Sequence, residues 1–147
     1  GHVFQADKGK TVELDIALNL AIRSPDKVDY LEVVQDGKVV HEVRLDQWKD
    51  AKGKLPTVTF TRSGWMLVRA VTNNPKTYRF ASTGPYYVEI GYERRISKES
   101  AKFFLDWVYE RARRIMLENP DEQQAVMEYH KQARDFWQKK FDEANAE

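Results

Sequence analysis

A chain of 147 residues, 32% charged and 41% hydrophobic, has the size and make-up of one globular domain, or of a small domain with an appendage. Its formal net charge of +1 sets up no long-range field, so charge nominates neither nucleic acid nor an anionic membrane as a partner. The absence of cysteine excludes disulfides, thiolate nucleophiles and cysteine-held metals together, and no apolar run approaches the roughly 20 residues that cross a bilayer.

The opening "GHVFQADKGK" lacks the apolar segment of a signal peptide, and a start other than Met gives the expectation of an excised fragment with Gly1 as a cloning remnant. Every glycine lies at or before Gly91, and beyond Tyr92 the one proline is Pro120. Both residues punctuate turns, so strands and turns are expected first and long helices last, with the change at about residues 92 to 97.

In chain order, "TVELDIALNLAI" alternates with period two and puts Val12, Leu14, Ile16, Leu18, Leu20 and Ile22 on one face of a strand. "SPDK" breaks it. "DYLEVVQDGKVVHEVRL" reads as a hairpin around Asp36-Gly37, residues that tolerate the positive φ of a tight primed turn. "WKDAKGKLP" is expected as a polar loop. "LPTVTFTRSGWMLVRAV" repeats the hairpin theme with Ser63-Gly64 as its turn and Trp65, Leu67 and Arg69 on a shared face. "TYRFAS" and "PYYVEIG" add two short runs. About seven strands at regular spacing are the signature of an antiparallel sandwich.

The helical part opens with Ser97 as N-cap. Ala101, Phe104, Leu105, Val108, Ala112 and Ile115 form one stripe, and Phe103 and Trp107 lie well round from it, which predicts two buried faces. At "NPDEQQ", Asn119 caps a second helix, Pro120 takes its first position, and Asp121 and Glu122 suit the positive end of the dipole. Val126, Tyr129, Ala133, Trp137 and Ala144 form its stripe. The short joint requires an antiparallel helical hairpin.

A search for reactive groups finds little. His2, His41 and His130 are far apart and lack metal-clamp spacing, so each reads as a boundary histidine satisfied by a hydrogen bond. Glu89 stands inside the apolar "YYVEI" but out of phase with Tyr86, Val88 and Ile90, hence facing water. No GxGxxG, GK[ST] or GxSxG occurs. The basic clusters "ERR" and "ERARR" read as solvated faces, with Glu110 and Arg114 a favourable helical pair. Trp65, Tyr78, Phe80 and Tyr86 are expected as core filler between sheets, and Tyr87 and Tyr92 as outward-facing.

The segments "DYLEVVQDGKVV", "SGWMLVRAV", "RFASTGPYYVEIG" and "RRISKESAKFFLDWVYER", in that order, resemble the C-terminal Ig-like accessory region of bacterial CehA/McbA-type metallohydrolases, relatives of the PHP phosphoesterases. The resemblance runs from about residue 10 to the tail "ARDFWQKKFDEANAE". It implies an N-terminal catalytic domain that binds divalent metals through HxH-like motifs, followed by an Ig-like sandwich. This chain has no HxH, so no catalytic residue of that family carries over.

The fold class expected is therefore mainly β with α: an Ig-like antiparallel β-sandwich over residues 1–92, then a helical hairpin over 93–147 packed on or beside it. The leading functional reading is a non-catalytic accessory domain of a larger hydrolase, with no catalytic residue, metal or other cofactor in this chain. Its partners would be the parent's catalytic domain or further copies of itself, with no nucleic acid or membrane. By analogy the resemblance implies an exported parent. Candidate interface residues are Trp48, Tyr87, Tyr92, Arg94, Arg95 and Trp107, since aromatics and arginine are enriched at binding hot spots. A stand-alone carbohydrate-binding module would stack sugars on exposed aromatics, Trp48 and Tyr87 among them. An autonomous enzyme would gather Glu89, His41 and Arg69 in a pocket.

Overall fold

Alternating burial along the strands organises the first of two compact units, Gly1–Arg94 and Arg95–Glu147. The computed structural model describes residues 2–20 and 27–147; Ile22 and the "SPD" of the first break lie outside the described residues. In chain order the first unit holds β1 (Val3–Ala6), β2 (Val12–Ala17), β3 (Val28–Gln35), β4 (Lys38–Arg44), α1 (Leu45–Asp50), β5 (Lys54–Phe60), β6 (Gly64–Thr72), β7 (Phe80–Ser82) and β8 (Tyr86–Ile90). The second holds α2 (Lys98–Arg114) and α3 (Pro120–Asp142).

The strands form two sheets. A six-stranded sheet runs in the order β1-β8-β6-β3-β4, with β7 also paired to β6, and β2 and β5 form a two-stranded sheet. Leu31, Val33, Met66, Val68, Ala70 and Val88 of the larger sheet share one buried cluster with Leu55, Val58 and Phe60 of β5. That shared core makes the unit a β-sandwich.

Asp36 and Gly37 take φ values of 50° and 86°, as a primed turn between β3 and β4 requires. The turn is also tied to β6. The Asp36 carboxylate accepts a hydrogen bond from the Trp65 amide at 3.0 Å, and the Asp36 amide donates to the Trp65 carbonyl at 3.0 Å. Gly64 leaves room for this contact, because a Cβ there would stand 2.8 Å from Asp36 Oδ1 and 3.0 Å from Phe60 Cε1.

Four expectations need correction. The sheets are not wholly antiparallel, because β1 runs parallel to β8. Ser63-Gly64 does not close a hairpin: β5 pairs with β2 and β6 with β3, so the chain crosses between sheets there. "WKDAKGKLP" is not a loop throughout: Lys54 to Pro56 open β5, and Trp48 to Asp50 end the short helix α1, at whose start the Gln47 side chain accepts from the Arg44 amide at 3.1 Å. Its exit needs left-handed backbone at Lys52 and Gly53, and the Gly53 amide donates to the Trp48 carbonyl. Finally, β6 buries Met66, Val68 and Ala70 while Tyr78 and Phe80 stay exposed; of the four aromatics expected as core filler, Tyr86 packs half-buried against a core whose buried aromatic is Phe60.

In the second unit Ser97 caps α2 by accepting from the Ser100 amide, and Asn119 caps α3 by accepting from the Asp121 and Glu122 amides. The covered face of α2 is the predicted stripe, with Ala101 and Leu105 buried and Phe104, Val108, Ala112 and Ile115 half-buried. Phe104 stacks on Trp137 of α3, with centroids 4.4 Å apart and planes 15° from parallel. The Lys98 amide donates to the Ala146 carbonyl, which ties the start of α2 to the chain following α3. Tyr129 leaves the expected α3 stripe for solvent, and His130 lies on the half-buried side with Nδ1 2.9 Å from the Val126 carbonyl.

Candidate functional site

Three side chains are candidates for an autonomous active site; Arg69 and Glu89 are engaged in other pairs, and His41 lies on a distant strand. Arg69 lies directly across β6–β3 from Glu32, and its Nε donates to Glu32 Oε2 at 2.6 Å. That hydrogen bond, reinforced by the carboxylate charge, raises the Arg69 pKa further above its ordinary value against the opposing effect of burial. The guanidinium also lies over the Phe80 ring, 5.4 Å from its centroid. Glu89 accepts from Gln5 Nε2 at 2.9 Å and lies 3.4 Å from Arg94 Nε. His41 sits opposite Val33 on β4, three strand spacings from β8, so roughly 14 Å separates its strand from that of Glu89. The three do not converge.

Arg69 and Glu32 instead anchor a polar row on the sheet face opposite the core. Glu42 stands across from Glu32 on β4, so two carboxylates flank one another beside the guanidinium. Tyr30 is the next residue of β3 on that face. Burial raises its phenol pKa first, and the charges of Glu32 and Glu42 add to the effect. Glu32 escaped the reading of the sequence. Its signal was an acid inside "YLEVV", matched by the lone arginine inside "WMLVRAV".

The six candidate interface residues divide. Trp48 is half-buried on α1 and packed against the core, so it is not the exposed ring that was expected. Its indole Nε1 is buried and meets no hydrogen-bond acceptor among the described residues. Arg95 is half-buried, and one of its guanidinium nitrogens donates to the Glu147 carbonyl at 3.2 Å. Arg94 is exposed and reaches Glu89. Tyr87 is 46% exposed and faces Trp65 across β8–β6. Tyr92 is 63% exposed with φ of 61°, a left-handed conformation uncommon for a bulky residue, and its hydroxyl donates to Asp7 Oδ1 at 3.2 Å.

Trp107 is 57% exposed, and Phe103, one helical turn before it, is 65% exposed. The second face of α2 is thus not buried as expected. Phe103 meets Phe104 edge-on at 5.4 Å, and Phe136 meets Trp137 in the same way at 5.1 Å, so exposed rings border the stacked pair on both helices. Among the described residues no group of three or more His, Asp or Glu gathers as metal ligands would, and no helix is long and apolar enough to cross a membrane.

No protein-family model matches the sequence. No curated protein matches it either. Among solved structures, extracellular domains 3–5 of Drosophila OTK align at 17% identity with a TM-score of 0.39, covering 60% of this chain and 31% of that one. The fibronectin(III)-like modules of Clostridium thermocellum CbhA align at 13% identity with a TM-score of 0.36, covering 60% of this chain and 88% of that one. The chain thus spans about a third of the OTK structure.

Proposed function

We propose that the chain is a non-catalytic accessory domain that works by association: an Ig-like sandwich followed by a helical hairpin, belonging to a larger bacterial PHP-like metal-dependent hydrolase. The observation that carries this reading is the pair Phe103 and Trp107. Two large rings one turn apart remain mostly in water on a helix whose other stripe is already covered. Burying such a patch is favourable by about 25 cal/mol per Å² of apolar area removed from water, and aromatic rings of this kind anchor protein contacts. The titratable side chains support the reading from the other side, since Arg69 and Glu89 are held in pairs within the sheet.

The partner that fits this reading is the catalytic domain of the parent protein. The test has two parts. The reading frame upstream of Gly1 should encode a region rich in HxH and acidic motifs, and that region purified alone should hydrolyse phosphoesters or related esters while this chain alone does not. Turnover by this chain alone would overturn the proposal.

A further inference from the structure

The two strands of the small sheet are covered unequally. On β5 the inward residues Leu55, Val58 and Phe60 are buried, yet their neighbours on β2, Val12, Leu14 and Ile16, are only half-buried although they face the same core. The cause is a missing neighbour. Within the described residues β2 pairs with β5 alone, which leaves its other side as a free edge. Beside that edge lies a hollow of about 360 Å³ between the two sheets, with Leu14, Ile16, Met66 and Val68 in its walls.

The backbone of the edge is set to pair. The Leu18 amide donates to the Gly53 carbonyl, which directs even-numbered β2 residues at β5 and turns the N–H and C=O groups of Glu13, Asp15 and Ala17 outward. A free edge of this kind is a template for strand addition. The side chains of Glu13 and Asp15 are exposed on the face away from the core. Among the described residues neither has a cationic partner, and Asp15 accepts the Thr57 hydroxyl at 2.7 Å. Carboxylates at alternate positions favour basic residues opposite them on an added strand.

We propose that the β2 edge binds an extended segment of a partner protein in which apolar residues alternate with lysine or arginine. The apolar side chains fill the hollow between the sheets, the basic ones pair with Glu13 and Asp15, and the backbone bonds to residues 13, 15 and 17. This goes beyond the docking reading of α2 and uses a different surface, so either can fail without the other.

The experiment is fluorescence anisotropy on the full chain with two short labelled peptides, one alternating valine with lysine and one alternating valine with glutamate. The lysine peptide should bind saturably and at least about tenfold more tightly than its acidic counterpart, a difference of about 1.4 kcal/mol. Glu13→Lys with Asp15→Lys should reverse the preference. Ala17→Pro should weaken binding at least about tenfold with an unchanged circular dichroism spectrum, because it removes an outward N–H that no strand uses. Absence of saturable binding, equal affinity for both peptides, or full binding by a folded Ala17→Pro variant would overturn the proposal. So would self-association of the chain that Ala17→Pro abolishes, since the edge would then belong to a second copy.

Discussion

Arg69 and Glu32 are cross-strand partners whose side chains hold each other on the sheet face opposite the core, with Glu32 buried and Arg69 about one-quarter exposed. A carboxylate so placed is costly without its cation, and Glu42 across the neighbouring strand adds a like charge. Arg69→Leu should therefore destabilise the first unit by about 2–3 kcal/mol, below the full range for buried pairs because water still reaches the guanidinium. The double variant Arg69→Leu/Glu32→Leu should recover most of that loss. Urea denaturation of both variants checks the pair, and equal loss in the two would contradict it.

Gly64 is required by what stands in front of it. Gly64→Ala would press a methyl group into the Asp36 carboxylate and the Phe60 ring. A loss of about 1–3 kcal/mol is expected, as for other overpacked sites. In an Asp36→Gly background the carboxylate is gone and the left-handed turn is kept, so the same substitution should cost distinctly less. Thermal melts of the four proteins measure the difference.

Tyr30 should make stability fall with alkaline pH. Its folded pKa is raised above the unfolded value of about 10, so the contribution is fully present below that pH and is lost as pH rises through the folded value. Tyr30→Phe should flatten the dependence of denaturation midpoint on pH above about 10. It should also remove an upward-shifted component from the ultraviolet phenolate titration.

Much of this architecture was legible in the chain because it is local. The alternation from Val12 to Leu20, the Asp36-Gly37 turn, the α2 stripe and the Asn119-Pro120 start each depend on a few neighbouring residues. What failed to show was the pairing of distant segments. Ser63-Gly64 has turn chemistry, but it sits where the chain changes sheets, and nothing local separates that from a hairpin. "WMLVRAV" is apolar on both faces, so its phase could not say that Met66, Val68 and Ala70 turn inward and Trp65 does not. On β5 a register shift opposite Leu14 and Ile16 breaks the alternation to Leu55, Val58 and Phe60. The candidate site was legible only as a residue class: aromatic exposure depends on phase, which misplaced Trp48, Tyr78, Phe80 and Phe103, while Tyr87 and Tyr92 face outward as expected.

Asn119 tests the second unit. Its side chain accepts from the Asp121 amide at 2.9 Å and from the Glu122 amide at 3.4 Å, so Asn119→Ala leaves donors at the α3 start without that partner. A loss of about 1 kcal/mol is expected, and Asn119→Asp should retain most of the stability because it keeps the acceptor. Helix amide exchange, read residue by residue, should accelerate first around residues 121 to 123.

The most direct measurement is calorimetric titration of this chain with the separately purified region encoded upstream of Gly1. Association is predicted, and Phe103→Ala with Trp107→Ala should weaken it at least about tenfold while leaving the thermal midpoint of the chain unchanged. No heat of binding, or equal binding by the double variant, would contradict the docking account.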